Sequence, residues 1–216
     1  GVDRTSEMQE WIGAAFNSLD EDARAILHLR HVEDLSYDAI AAGYEVLGIS
    51  MQLFEKDTAR NSGGNCCTLD DFHDARRVAH QLGFPHYVMD FEERFRETVI
   101  EAFIQGYLDG ETPSPCIRCN QHLKFSALME RAGELEAPFV ATGHYAGISR
   151  EDGLWHLWKA SDPAKDQSYF LYATPHSLVE KMLFPLGESH KPEVRAEAVA
   201  RDLPGATKGE SQELCF

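Results

Sequence analysis

Positive charge is scarce in this 216-residue chain. Twenty lysines and arginines face 36 aspartates and glutamates, for a formal charge of −16 and a pI near 4.9. A free-standing nucleic-acid binder normally carries the opposite sign, because neutralising phosphates supplies much of its affinity. Any nucleic-acid partner therefore needs a local basic patch, or a basic domain outside these residues. Long apolar runs are also missing: none approaches the ~20 residues of a bilayer span, and no basic-then-apolar leader opens the chain. This excludes a helical membrane protein and predicts a cytoplasmic location, where thiols stay reduced. Internal repeats and low-complexity tracts are absent too. Hydrophobic residues make up 43% and charged residues 26%, enough for one good core, or one domain with an appendage.

Cysteine is sparse, at five residues, but three of the five sit in polar surroundings. Cys116 and Cys119 lie within Thr112-Pro113-Ser114-Pro115-Cys116-Ile117-Arg118-Cys119-Asn120, and Cys215 within Ser211-Gln212-Glu213-Leu214-Cys215-Phe216. Structural cysteines usually hide singly in apolar runs. Thiols framed by Pro, Ser, Arg and Asn are placed like reactive or metal-binding ones. A two-residue spacer lets a turn aim Cys116 and Cys119 at one point, and Cys215 would make a third thiolate. Three chemistries fit: a cluster or metal with one open position, persulfide transfer with a resolving thiol, or a structural zinc completed by a histidine such as His122. Cys66 and Cys67 are adjacent, cannot easily share a metal, and read as an inert loop pair.

The pattern of elements predicts an α/β fold. Residues 4–42 read as helices alone. Met8, Trp11, Ile12, Ala15 and Phe16 share one helical face, Ser18 with Glu21 forms a capping box before a helix carrying Ala23, Ile26, Leu27 and Leu29, and Ser36 caps a third. From Gly43 strands and helices alternate. Strands are predicted at residues 44–53, 85–89 and 137–142, with a hairpin pairing 145–148 to 155–158. Helices are predicted from Leu69 to Leu82 with Gly83 as the stop, from about Phe91 to Tyr107, after the cysteine loop through Phe125 and Leu128, near 175–183, and over 191–201. Such alternation implies a doubly wound parallel sheet with its site at the carboxyl ends of strands. Thr142-Gly143-His144 lies at such an end, where a glycine permits close approach of a ligand. Lys165-Asp166-Gln167 is a polar cluster that signals little alone.

Taken together, residues 43–216 resemble the ATP-dependent tRNA-specific 2-thiouridylases, the MnmA/TrmU family. The resemblance rests on the order and spacing of Gly43–Met51, Asn65-Cys66-Cys67, Thr112–Asn120 with Leu123-Lys124-Phe125, Ala141–Tyr145, Asp162–Tyr172, Phe184-Pro185-Leu186-Gly187 and Ser211–Phe216. It implies a sheet of the adenine-nucleotide alpha-hydrolase type (a PP-loop ATP pyrophosphatase). It also implies adenylation of the C2 oxygen of a wobble uridine with ATP and Mg²⁺, followed by sulfur transfer, with tRNA and a sulfur-donor or relay protein as partners. By that likeness Cys119 is the nucleophile and Cys215 carries the persulfide. Met51 and Gly143 line the ATP site, as does Asp3 of the loop remnant Gly1-Val2-Asp3. His144, Lys165, Asp166 and Gln167 contact tRNA, and Ser114, Pro115 and Cys116 meet the target base. Many relatives carry aspartate where this chain has Cys116. The cysteine variant resembles the form that holds a [4Fe-4S] cluster on Cys116, Cys119 and Cys215.

The departures predict impaired ATP binding. The family's Ser-Gly-Gly-Val-Asp-Ser-Ser loop is reduced to Gly1-Val2-Asp3, Arg4 follows where serine is expected, and residues 4–42 replace the next helix. Residues 16–41 instead resemble the start of sigma-factor region 4, a helix-turn-helix whose recognition helix is missing. Eight acids against three arginines over residues 4–40 argue against DNA binding. The domains expected are 1–3 as loop remnant, 4–42 as a helical segment, and 43–216 as a pyrophosphatase domain without the family's barrel domains. The chain reads as part of a longer protein.

Overall fold

The computed structural model describes residues 24–28, 45–54 and 69–208, the first five as backbone. Their centre is a five-stranded sheet in the order β3-β2-β1-β4-β7. The strands are β1 (Arg24–His28), β2 (Glu45–Gln52), β3 (His86–Asp90), β4 (Phe139–Thr142) and β7 (Met182–Leu183). Every pairing is parallel. A separate antiparallel hairpin joins β5 (Ala146–Glu151) to β6 (Leu154–Lys159).

Period-two alternation along β2 divides the core between the two faces of the sheet. Val46 points to one side, where it meets Ala75, Val78 and Ala79 of α1 (Leu69–Leu82) and Ala198 of α7 (Lys191–Ala200). Leu47 and Ile49 point to the other, against Leu128 and Ala132 of α5 (Leu128–Glu134). β4 repeats the division with Ala141 and Val140. Gly83 ends α1 at φ +83°, the left-handed turn that favours glycine.

Between β3 and β4 the chain forms two long helical runs. In the first, α2 (Glu92–Phe95) passes through a π-helical turn, Arg96–Ile100, into α3 (Glu101–Leu108). In the second, α4 (Pro115–Cys119) passes through a longer π segment, Asn120–Ala127, into α5. The Ser126 hydroxyl bonds back to the Gln121 carbonyl at 2.6 Å, a five-residue step matched to the wider turn. The short α6 (His176–Val179) precedes β7.

Three sequence expectations change. Residues 24–28 form a strand, not part of an all-helical segment, and the rest of 4–42 lies outside the described residues. Helical periodicity at Ile26 and Leu27 is a weak prior; between β2 and β4 the backbone pairs on both edges, and that pairing wins. The helix-turn-helix likeness, which requires helix there, is not supported. The cysteine loop is helical from Pro115: proline suits the first helical position and Ser114 precedes it in extended conformation. β7 replaces the end of the helix expected over 175–183, two residues being too few to show a period.

Two tests follow. A Cβ on Gly187 would lie 2.2 Å from the Ala146 carbonyl oxygen, a backbone atom with no room to yield. Gly187→Ala should cost about 2 kcal/mol or more and lower the thermal midpoint by at least ~4 °C. Burial, and secondarily Arg76, lower the His86 pKa from 6.5 to about 4, and Ser50 Oγ lies 2.9 Å from its Nε2. The unfolded chain thus takes up this proton first as pH falls, so stability should drop between pH 6.5 and 4. Urea titrations should show a loss of about 1 kcal/mol, discounted because the ring is only half-buried, and His86→Gln should flatten it.

Candidate functional site

Parallel strands place their carboxyl ends along one edge, and the chemistry-bearing side chains gather at the ends of β2 and β4. Met51, near the end of β2, packs with Leu53, Phe95, Val99, Leu123 and Cys119. Thr142 is the last residue of β4, followed by half-buried Gly143 and buried His144. Above them the α4 segment brings Pro115, Cys116 and Cys119 to a cavity of about 90 Å³, whose walls also include Asn120, Lys124, His144, Gln167 and Phe170.

Cys116 and Cys119 are three residues apart on one helix and so share a face. Both open on this cavity and neither is disulfide-bonded. Cys119 is buried in the apolar floor, whereas Cys116 is half-exposed.

Polar order in the cavity depends on a lysine. Lys124 is 9% exposed, and its Nζ lies 3.4 Å from His144 Nε2. An ammonium only donates, so Nε2 accepts; Nδ1 then carries the ring proton and donates to Thr142 Oγ1 at 2.8 Å. No carboxylate pairs with Lys124 or Arg118 among the described residues. Arg118 instead donates to the Thr98 carbonyl at 3.0 Å. Burial, then Arg118 and Arg94, hold the His122 pKa below its ordinary value. The locale is therefore cationic within an acidic chain.

The loop carrying Lys165, Asp166 and Gln167 is tied down by hydrogen bonds. The Gln167 N–H donates to the Tyr145 carbonyl at 2.8 Å, and its Oε1 accepts from the Tyr145 N–H at 3.0 Å. Burial raises the Asp166 pKa, but hydrogen bonds from the Ala160 N–H and from Ser168 outweigh it and leave it below its ordinary value. Asp166 thus organises the loop from within. The Lys191 N–H, at the start of α7, lowers the Asp162 pKa against the opposing effect of burial; the Ala164 N–H and nearby charges add to it.

Of the residues singled out in the sequence, Pro115, Cys116, Cys119, His144 and Gln167 converge on one cavity, with Met51 packed against Cys119 beneath. Ser114, Gly143, Lys165 and Asp166 lie in adjoining segments but are not among its walls. Asp3 and Cys215 lie outside the described residues, as do Cys66 and Cys67. Sequence reasoning missed Asn120 and Lys124. The available signal was a lysine at the centre of Leu123-Lys124-Phe125, where both neighbours are fully buried. Among the described residues no three His, Cys, Asp or Glu are grouped to hold a metal, so a third ligand would have to come from elsewhere. No described helix is long and apolar enough to cross a membrane.

Residues 35–216 match the family described as tRNA methyl transferase HUP domain. The chain is 51% identical over 179 residues to the tRNA-specific 2-thiouridylase MnmA of Geobacter metallireducens, covering 81% of this chain and 49% of that protein. It is 46% identical over 209 residues to the same-named protein of Bradyrhizobium sp. ORS 278, covering 93% and 53%. The chain thus spans about half the length of the curated relatives it matches. Among solved structures it resembles the U34-tRNA thiolase NcsA of Methanococcus maripaludis with its [4Fe-4S] cluster, at TM-score 0.57 and 14% identity, over 97% of this chain and 67% of that one. It also resembles NMN synthetase from Francisella tularensis, at TM-score 0.55 and 16% identity, over 95% and 73%. At these identities the likeness shows the fold alone: an adenine-nucleotide alpha-hydrolase-like α/β sheet.

The difference in burial between the thiols predicts an order of reaction. Under native conditions Cys116 should alkylate at least ~10-fold faster than Cys119, read by mass spectrometry of the peptide that carries both. Equal rates would place Cys119 at the surface.

Proposed function

Since the chain belongs to the tRNA methyl transferase HUP domain family, sharing 46–51% identity with tRNA-specific 2-thiouridylases, we propose that it supplies the thiol-bearing half of a tRNA 2-thiouridylase. ATP is the activating cosubstrate, with Mg²⁺ on its phosphates, and the loop remnant Gly1-Val2-Asp3 weakens this chain's own hold on it. The uridine C2 oxygen attacks the α-phosphorus, pyrophosphate leaves, and the N3 proton is lost. A sulfur nucleophile then adds to C2, the C–O bond breaks, and AMP departs. Adenylation is needed because a carbonyl oxygen is otherwise a poor leaving group.

The observation that carries this reading is the convergence of Cys116, Cys119, Lys124 and His144 on one cavity at the carboxyl ends of β2 and β4. Cys119 serves as the nucleophile facing Met51 and the proposed nucleotide site. The Lys124 ammonium favours a thiolate and an anionic leaving group in the same low-dielectric space. Gln167 and His144, held by Tyr145 and Thr142, present fixed polar groups to RNA, with Lys165 beside them. Ser114 and Pro115 form the rim at which the base enters. Cys215 is the partner thiol, donating sulfur as a persulfide that Cys119 resolves by forming a disulfide with Cys215.

Cys116 adds a second route. Two thiols on one helical face at one cavity suit two legs of a [4Fe-4S] cluster, with Cys215 as the third. Such a cluster, when bound, supplies an iron that binds sulfide. Cys116 and Cys119 would hold it, and Lys124 would balance its thiolate charge. A sulfur-donor or relay protein delivers the sulfur in either case.

The test is formation of 2-thiouridine in tRNA under anaerobic conditions, with ATP, Mg²⁺ and either a persulfide donor, which can charge Cys215, or sulfide, which serves only the cluster route. Cys119→Ser should lower the yield by at least ~100-fold. Cys116→Ser should do the same if the cluster operates, together with loss of bound iron. Unchanged thiolation in Cys119→Ser would overturn the reading.

A further inference from the structure

Asn120 follows Cys119 directly, begins the π segment and lines the same cavity. It is 3% exposed. Its Nδ2 donates to the Phe170 carbonyl at 3.1 Å. A backbone carbonyl only accepts, so the amide cannot be turned over, and Oδ1 is fixed as an acceptor. That buried oxygen has no hydrogen-bond partner among the described residues. An unpaired buried acceptor costs roughly 1–3 kcal/mol, and one kept in the wall of a cavity marks where a ligand donor belongs.

We infer that Asn120 Oδ1 accepts a hydrogen bond from the imide N3–H of the target pyrimidine, making Asn120 a specificity-determining residue; this rests on the thiouridylase reading above. N3–H is the donor on the Watson–Crick edge of uracil, flanked by carbonyl oxygens. The Lys124 ammonium, in the same wall, supplies the complementary donor for one of those oxygens, and Phe170 lines the cavity with them. Cytosine presents an unprotonated N3 at this position, so two acceptors would face one another. The same pattern rejects a uracil methylated at N3. The asparagine thus selects the protonated imide that must give up its proton when O2 is adenylated.

Binding by the full chain to RNA anticodon stem-loops, followed by fluorescence anisotropy, tests this. The loops carry uridine, 3-methyluridine or cytidine at the target position. Wild-type protein should bind the uridine loop ~10-fold or more tightly than either alternative. The preference should shrink to within ~3-fold in whichever of Asn120→Ala and Asn120→Leu keeps the wild-type melting profile. Affinity for the cytidine loop should rise or hold in that variant, because the opposing acceptor is gone, while affinity for the uridine loop falls. Equal wild-type affinity for all three loops would mean that water satisfies Oδ1, and would overturn the assignment while leaving the thiouridylase reading intact. A preference that survives in the folded variant would assign the selection to another residue and equally overturn it. Failure of the uridine loop to bind at all would overturn the inference, while thiolation by Cys119 decides the reading beneath it.

Discussion

A buried ammonium without a carboxylate partner among the described residues is the constraint around which this site is built. Taking a lysine out of water costs several kcal/mol, and one contact to an imidazole offsets only part of that. The fold tolerates Lys124 because two other elements are already in place. Thr142, at the end of β4, fixes the His144 ring through Nδ1 and leaves Nε2 facing the lysine. The π segment brings Asn120 and Lys124 to the same cavity as Cys116 and Cys119. Such wide turns are uncommon and concentrate at functional positions. The cavity consequently favours electron-rich occupants: thiolates, phosphates, carbonyl oxygens.

The distribution of charge supports the same division of labour. Acidic residues face solvent on the outer helices, as where Arg96 is ringed by Glu93, Glu97 and Glu101. Surface pairs of this kind add little stability. Arg118, His122 and Lys124 lie instead on the helical run that meets the cavity. At an overall charge of −16, long-range attraction cannot draw a polyanion to this chain, and recognition within it must act at contact distance, beyond which salt screens the local cations.

Much of the scaffold was legible from periodicity and punctuation. Val46, Leu47 and Ile49 alternate as a strand with both faces buried, Gly83 stops a helix where its positive φ is needed, and the hairpin of β5 with β6 pairs nearly the predicted residues. Short or context-dependent elements were not legible. Arg24–His28 carries no period-two signature, and Met182–Leu183 is too brief for any. The cysteines, His144 and Gln167 stood out because their types and neighbours are unusual. Asn120 and Lys124 did not, because their importance lies in burial: lysine is ordinarily a surface residue, and only the tertiary fold removes it from water. Asp166 shows the reverse case, a polar residue in a conspicuous cluster whose oxygens are committed to its own loop.

The place of β1 in the sheet has a further consequence. β3-β2 on one side and β4-β7 on the other share no ladder with each other; Arg24–His28 pairs with β2 along its whole length and Ala25–His28 with β4. Without that insert the molecule would present two parallel, apolar edges of unsatisfied amides facing one another across a slot. Each is the kind of template on which a strand from a second molecule can assemble. That short strand thus fills the slot, and its loss would open both edges to a strand from another molecule.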